Sequence, residues 1–148
     1  MAHAEFWLPV RVYVEDTDAA GVVFYANYLR YLERARTEWF RTLGFARPAL
    51  FADRLAFVVR ALEIRYLRPA RLDDLLQVGV AVVDLGRARL RLDQPVLRDG
   101  ERLCEAAVEL ACLRRDTLRP VAIPAEVRRA LARRPSGGRG IAGRGEVS

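Results

Sequence analysis

Hydrophobic and polar residues first alternate along this chain and then change to a helical spacing. Between residues 6 and 15, one side of an extended chain would carry Val10, Val12 and Val14. Such alternation predicts a half-buried β-strand. Between residues 26 and 43, apolar residues recur three or four positions apart: Tyr28, Leu32, Ala35, Trp39 and Leu43. This spacing predicts an amphipathic α-helix about 27 Å long that stops at Gly44.

Four further strands are predicted after the helix, at residues 56–66, 75–84, 88–97 and 102–113. Turn-forming residues separate them, and Asp99-Gly100 is typical of a two-residue hairpin. Residues 47–54 predict a connector or a short helix. Residues 124–133 predict a short terminal helix with Pro124 in its first turn. From residue 135 onward the chain is rich in glycine, which predicts a disordered tail.

The order of these elements is one strand, a long helix and then four strands, which predicts an α+β fold. A helix with so wide an apolar face must be covered by a curved sheet. We therefore expect the hot-dog fold, one long helix wrapped by a five-stranded antiparallel sheet. It would occupy residues 1–134 as a single domain, followed by the tail at residues 135–148. An exposed sheet edge and a small core favour the pairing of two sheets in a dimer.

Composition narrows the class of protein. The 148 residues are 52% hydrophobic and 30% charged, as in a soluble globular domain. No apolar run approaches the roughly 18 residues of a membrane span, and no signal peptide is recognisable at the N-terminus. We therefore expect a cytoplasmic protein.

Charge is concentrated at the C-terminus. The net charge is +6, and residues 128–148 hold six arginines against one glutamate. The folded part is therefore nearly neutral, and no nucleic-acid-binding motif is present, so we expect no nucleic-acid partner. The basic tail is compatible with weak peripheral association at an anionic membrane face.

The two cysteines predict neither a disulfide nor a catalytic thiol. Cys104 and Cys112 are eight residues apart in one predicted strand, roughly 26 Å at the rise of an extended chain. A disulfide needs Cα atoms within about 7 Å, so we expect two reduced, buried thiols. His3 is the sole histidine of the sequence. No cysteine–histidine pair and no metal-ligand spacing is recognisable, so no metal site is predicted.

Candidate chemistry lies between the first strand and the helix. Asp18 precedes the turn Ala19-Ala20-Gly21. A carboxylate beside a helix start can act as base or nucleophile toward a carbonyl, and the first N–H groups stabilise the oxyanion. Asp18 would equally well satisfy N–H groups in its own turn, and that alternative stays open here. Asp16 would lie roughly 7 Å from Asp18 if the strand continued; we interpret Asp16 as structural, organising the turn.

A longer pattern covers this region. It consists of Arg11-Val12, Thr17-Asp18, Gly21-Val22-Val23-Phe24-Tyr25, Tyr28 and Tyr31, separated by four, two, two and two residues. This pattern resembles the signature of the 4-hydroxybenzoyl-CoA thioesterase family of hot-dog proteins. Residues 33–38, 56–60 and 69–74 are similar to the branch of that family associated with the Tol-Pal system. The resemblance covers residues 6–130.

The resemblance implies that the protein hydrolyses acyl-CoA thioesters in the cytoplasm, as a homodimer or as a tetramer of two dimers. It implies no metal or redox cofactor, and CoA is part of the substrate. The catalytic carboxylate of the family falls on Asp18, which would attack the thioester carbonyl or activate water. Gly21 would let the backbone approach the thioester without a Cβ. Many members of the branch carry His where this chain has Tyr25, so the resemblance leaves the oxyanion role to the backbone N–H of this residue.

The resemblance also suggests substrate-binding residues. Val23, Phe24 and Tyr28 would line the acyl pocket, although aromatic residues at helical spacing are more often plain core. Arginines near strand ends or turns would bind the CoA phosphates: Arg60, Arg65, Arg87 and Arg89. An ordinary surface position explains each of these arginines as well. Glu33, on the helix, is the second candidate for the catalytic carboxylate.

Two other functions are compatible with these residues. An acyl-carrier-protein thioesterase would use the same chemistry on an acidic protein partner, which the basic balance of this chain suits. A non-catalytic acyl-CoA-binding protein of the cell-envelope machinery would need no carboxylate at the bound carbonyl, so the role of Asp18 separates it from an enzyme. A hot-dog dehydratase is disfavoured because that chemistry resembles one with a catalytic His, which the predicted core lacks.

Overall fold

A long helix packs against one face of an antiparallel sheet in the computed structural model, which describes residues 3–45 and 54–133. In chain order the elements are β1 (Phe6–Arg11), a 3₁₀ turn (Val14–Asp16), α1 (Asn27–Thr42), β2 (Leu55–Tyr66), β3 (Leu75–Leu85), β4 (Arg89–Arg98), β5 (Glu101–Arg114) and α2 (Ala125–Arg133). Both helices and strands β2 to β5 agree with the predicted bounds to within one residue. The predicted tail and all but the last residue of the predicted connector lie outside the described residues. Within the described ranges, neither helix is long and apolar enough to cross a membrane.

The sheet has the strand order β1-β3-β4-β5-β2, and every neighbouring pair is antiparallel. The β4–β5 hairpin turns at Asp99 and Gly100, whose φ angles are 49° and 83°. Positive φ at both central residues defines the two-residue type I′ turn that the Asp-Gly pair predicts. One long helix against this sheet is the hot-dog fold, so the predicted fold class is confirmed.

The core lies between α1 and the sheet. The helix contributes side chains that are at most 2% exposed: Tyr31, Leu32, Ala35 and Trp39. A polar side chain also lies in this core: Gln94 on β4 is fully buried and links β4 to α1. Its Oε1 accepts a hydrogen bond from Arg36 at 2.9 Å, and its Nε2 donates to the carbonyl oxygens of Leu32 and Gly79. Since both ends of the amide are bonded, this buried polar group is fully satisfied.

The predicted extent of the first strand is wrong. Strand β1 ends at Arg11 instead of continuing to residue 15, and Val14 is 70% exposed rather than buried beside Val12. The cause is local, because the Asp16 carboxylate accepts a hydrogen bond from the backbone N–H of Tyr13 at 2.8 Å. A side chain that bonds its own backbone competes with extension and closes the 3₁₀ turn. Asp16 and Asp18 therefore do not project from one continuous strand.

Strand β2 leaves an edge of the sheet unpaired. It spans 12 residues and pairs only with β5 among the described strands. Several apolar side chains on it are exposed: Val58, Val59, Leu62 and Tyr66. The other edge strand, β1, spans six residues and contains Pro9, which lacks the N–H needed for further pairing. A long apolar edge such as β2 is the edge suited to pairing with another chain.

Both cysteines lie on β5, are buried and carry free thiols, as the sequence predicts. Burial raises the pKa of Cys104 to about 12, with a smaller contribution from Glu105, and burial also raises the pKa of Cys112. The thiolate is the reactive form of cysteine. Neither side chain is therefore a nucleophile near neutral pH.

Candidate active site

A tight turn presents the Asp18 carboxylate to solvent. Its Oδ1 accepts hydrogen bonds from the backbone N–H groups of Ala20 at 2.8 Å and Val22 at 3.4 Å. Gly21 closes the turn with a φ of 80°, in the left-handed region that favours glycine. Asp18 thus does the structural work that its residue type predicts in a turn. Its second oxygen, Oδ2, has no hydrogen-bond partner among the described residues, so one oxygen stays available for chemistry.

The backbone between this turn and α1 exposes an N–H donor. The N–H of Phe24 donates to the carbonyl of Asp16 at 3.0 Å, and that of Asn27 donates to the carbonyl of Phe24 at 2.8 Å. Between them, the N–H of Tyr25 has no acceptor in the part of the chain that the structure describes. The carbonyl of Tyr25 is held in place, since it accepts a hydrogen bond from the Tyr66 hydroxyl at 3.0 Å. An unpaired N–H two residues before a helix start is suited to bind developing negative charge.

Asp16 holds the two parts of this segment together. Besides the bond to Tyr13, its carbonyl oxygen accepts a hydrogen bond from the Asn27 side chain at 2.8 Å. The structural interpretation of Asp16 is therefore confirmed. Burial raises the pKa of the neighbouring Tyr31 hydroxyl, and the Asp16 carboxylate raises it further. Tyr31 therefore stays protonated and serves as core.

An aromatic cavity of about 240 Å³ opens beside the Tyr25 backbone. Its lining comprises Val23, Tyr25, Tyr28, Tyr66, Leu67, Arg68 and Pro69. The Tyr66 ring lies 5.4 Å from that of Tyr28 and 6.3 Å from that of Tyr25 between ring centroids. Burial raises the pKa of both Tyr28 and Tyr66, so their hydroxyls stay neutral near pH 7. The cavity is an uncharged aromatic wall with Arg68 at its border.

The predicted substrate-binding residues fall into two groups. Val23 and Tyr28 line the aromatic cavity, and the exposed Phe24 packs its ring 4.9 Å from that of Tyr25. The predicted phosphate-binding arginines lie elsewhere, because none of them lines this cavity. Arg60 and Arg89 both pair with the Glu109 carboxylate, at 3.0 and 3.4 Å.

The other two predicted arginines lie in other parts of the fold. Arg87 lies in the turn between β3 and β4, where its carbonyl oxygen accepts a hydrogen bond from the Ile123 N–H at 2.8 Å. Arg65 is opposite Glu105 in the β2–β5 register. Sequence reasoning missed Arg68, which borders the aromatic cavity and pairs with Glu101 at 2.8 Å. The sequence feature that could have identified Arg68 is the Leu-Arg-Pro sequence directly after a predicted strand.

Glu33 lies at a different cavity. That cavity has a volume of about 290 Å³ between α1 and the first half of β2, and its lining includes Arg36 and Phe57. Burial lowers the pKa of Arg36, whereas Glu33 acts in the opposite direction. The two cavities share no lining residue. Val59 and Tyr66, on the β2 borders of the two cavities, are seven residues apart, roughly 23 Å along a strand.

Within the described ranges, no three His, Cys, Asp or Glu side chains are grouped so as to hold a metal ion. The site offers one carboxylate oxygen, one backbone N–H and an aromatic cavity. A carboxylate next to an oxyanion donor can support attack on a carbonyl carbon.

Known proteins resemble this chain over most of its length. The model of the thioesterase-like superfamily matches residues 12–131. The acyl-CoA thioesterase YbgC of Haemophilus influenzae is 47% identical over 127 residues, which are 85% of this chain and 93% of that protein. A probable thioesterase from Bartonella henselae has a solved structure with 38% identity and a TM-score of 0.72, covering 82% of this chain and 99% of that one. A Thermus thermophilus thioesterase, solved with coenzyme A and Zn, has 31% identity and a TM-score of 0.73, covering 86% of this chain and 98% of that one.

Proposed function

This chain belongs to the thioesterase-like superfamily, and we propose that it hydrolyses acyl-CoA thioesters to a free acid and CoA. The observation that carries the proposal is that the short segment before α1 contains both an unbonded carboxylate oxygen, Asp18 Oδ2, and an acceptor-free backbone N–H, that of Tyr25. The name of the Haemophilus influenzae relative, an acyl-CoA thioesterase, supports the same activity. Membership of the branch associated with the Tol-Pal system, a cytoplasmic location and the absence of any cofactor other than the substrate CoA are parts of this proposal.

Two routes fit the geometry. In the first, Asp18 Oδ2 attacks the thioester carbonyl carbon, the C–S bond breaks, the CoA thiolate takes up a proton from water, and a second water hydrolyses the mixed anhydride. In the second, Asp18 accepts a proton from water, the resulting hydroxide attacks the carbonyl, and the proton passes to the leaving thiolate. In both routes the N–H of Tyr25 stabilises the oxyanion, a contribution of about 3–4 kcal/mol for one donor in other enzymes.

We assign the apolar part of the substrate next to the thioester to the aromatic cavity. Val23 and Tyr28 would contact it, and Phe24 would close its exposed side. Arg60, Arg87 and Arg89 remain the proposed ligands of the CoA phosphates. Arg60 and Arg89 would share their charge between phosphate and Glu109, which the exposure of both arginines permits.

We further propose a homodimer in which the β2 edges of two chains pair antiparallel. The exposed apolar residues on β2 support this arrangement, because pairing would cover them and supply the missing hydrogen bonds. Antiparallel pairing about the middle of β2 would bring Tyr66 of one chain toward Phe57 of the other. The two cavities would then meet across the interface, and Glu33 of one chain would face the aromatic cavity of its partner. A tetramer of two such dimers is the larger assembly that the resemblance implies.

The experiment that tests the activity is release of free thiol from short-chain, long-chain and aromatic acyl-CoAs. We expect turnover by the wild type and a loss of about 100-fold or more in Asp18→Asn, because the base or nucleophile is removed. The matched control is Asp84→Asn, an exposed carboxylate on β3, which should keep wild-type turnover.

Each alternative has a distinct result in this assay. Turnover of acyl-carrier-protein thioesters without turnover of CoA esters would favour the acyl-carrier-protein thioesterase. Tight binding of acyl-CoA without turnover of any thioester would favour the non-catalytic binding protein. Full activity of Asp18→Asn would reject Asp18 as the catalytic group and make Glu33 the next residue to test.

A further inference from the structure

The turn that carries Asp18 is hydrogen-bonded to a second loop, which we call the support loop and define as residues 67–74, between β2 and β3. The N–H of Val23 donates to the carbonyl of Ala70 at 2.8 Å, and the N–H of Leu72 donates to the carbonyl of Gly21 at 3.4 Å. Val22 and Arg71 form an antiparallel bridge between the same two segments. The position of the turn that carries Asp18 is therefore set by the position of the support loop.

The conformation of the support loop depends on Asp74. Its Oδ2 accepts a hydrogen bond from the N–H of Arg71 at 2.8 Å, and its own N–H donates to the Arg71 carbonyl at 3.1 Å. These bonds close a tight turn in which Asp73 has a φ of 72°. Left-handed backbone at a residue other than glycine is unfavourable and persists where surrounding contacts hold it. Asp74 supplies such contacts.

Arg98 fixes Asp74 to the sheet. It lies at the end of β4, and its Nη1 donates to Asp74 Oδ2 at 2.7 Å and to the carbonyl of Pro69 at 3.4 Å. Its Nη2 donates to Glu101 at 3.1 Å, across the β4–β5 hairpin. The Arg98 and Asp74 side chains are only 24% and 21% exposed, so solvent screens this pair less than a surface pair. Burial alone would raise the pKa of Asp74, but the hydrogen bonds from Arg71 and Arg98 outweigh it and hold the pKa below its ordinary value.

We propose that Asp74 and Arg98 are a pair of positioning residues, which hold the support loop so that Asp18 and the Tyr25 N–H stay correctly placed for the reaction. Neither residue touches the reacting atoms. The inference rests on the proposed function and extends it to residues outside the catalytic turn. Misplacing a catalytic group by about 1 Å can cost roughly 100-fold in rate. Loss of the contacts made by Asp74 and Arg98 should therefore lower the rate strongly.

Kinetics test the pair through Asp74→Asn, Arg98→Met and the double variant. We expect kcat to fall at least tenfold in each single variant and KM to change by a smaller factor, because residues 70–72 of the support loop hold the Asp18 turn, whereas most of the aromatic cavity is lined by residues outside the loop. The double variant should be no slower than the slower single variant, since the two residues act as one unit. Asp116→Asn is the matched control, because it removes a carboxylate that pairs with Arg114 away from the support loop, and it should keep wild-type kcat.

Amide hydrogen exchange gives a readout independent of turnover. In Asp74→Asn we expect the Val23 N–H to exchange at least tenfold faster, while amides in β4 and β5 exchange as in wild type. A merely structural role would instead accelerate exchange across the sheet and lower kcat only by unfolding protein. Wild-type kcat in both single variants, additive losses in the double variant, or unchanged exchange at Val23 would each overturn the proposal.

A milder variant covers the case in which Asp74→Asn does not fold. Arg98→Lys keeps the charge and loses the second donor group, so we expect kcat about threefold lower with Val23 exchange raised by a similar factor. Wild-type values for both would reject the inference. If the folded wild type is inactive on every thioester, the proposed function fails, yet the exchange experiment still decides whether Asp74 and Arg98 hold the turn.

Discussion

Two polar regions of this protein differ in how completely their hydrogen bonds are used. At the link between α1 and β4, the buried Gln94 bonds Arg36 and two backbone carbonyls, so its amide is satisfied at both ends. In the turn before α1, Asp18 keeps one oxygen unbonded, and the N–H of Tyr25 has no acceptor among the described residues. A satisfied buried amide contributes to stability and specificity of packing, whereas unused groups at an exposed turn are available to a substrate. The contrast is between polar groups that the fold uses fully and exposed polar groups that are left free for the proposed function.

The largest effect on the free energy of unfolding is expected from Gln94→Leu. The substitution leaves the Arg36 guanidinium and two carbonyl groups without their buried partner, which should lower the free energy of unfolding by about 1–3 kcal/mol. Urea denaturation measures this loss, and kcat per folded molecule should not change. Gln77→Leu is the matched control, because the buried Oε1 of Gln77 has no hydrogen-bond partner among the described residues. Equal losses in the two variants would contradict the contrast.

Gly21→Ala should lower both the stability and kcat, each by a smaller amount. An added Cβ meets no atom within 4 Å, so the cost comes from the φ of 80° alone, about 1–2 kcal/mol of unfolding free energy. Relief of that strain would move the Asp18 turn, so kcat should fall more than stability explains. Gly86→Ala is the control: its added Cβ has an ordinary contact of 3.6 Å and its φ is not in the left-handed region. Unchanged kcat in Gly21→Ala would show that the rate does not depend on the exact backbone conformation of this turn.

The smallest effect is expected from Tyr25→Phe. It removes the hydroxyl but keeps the backbone N–H proposed as oxyanion donor and the carbonyl that accepts from Tyr66. We therefore expect kcat within threefold of wild type in the thiol-release assay. Tyr66→Phe is the comparison variant, because it removes the hydrogen bond that fixes the Tyr25 carbonyl and should lower kcat more. A large loss in Tyr25→Phe would assign the chemistry to the side chain instead.

The sequence predicted what local patterns control. The bounds of α1 and of β2 to β5 were correct because long runs with a clear period are strongly specified. The end of β1 was wrong because one side chain, Asp16, closes a turn that overrides alternation. Asp18 and Gly21 were readable as a turn because their residue types fit its backbone, although their catalytic roles stay a prediction.

Contacts between distant residues were not readable. Tyr66 and Arg68 reach the aromatic cavity from more than 40 positions away from Tyr25, and no local pattern encodes that approach. The pairing of Arg60 and Arg89 with Glu109 likewise depends on the register of three strands, which periodicity alone does not fix.

Burial of the two cysteines has a practical consequence. Cys104 and Cys112 are the sole cysteines of the sequence, and both are buried in the core as protonated thiols. Thiol-specific dyes should therefore detect CoA as it is released against little background from the folded protein. A cysteine engineered at an exposed position away from β2 would likewise be labelled selectively, so spectroscopic distance measurements would test the proposed pairing of two subunits.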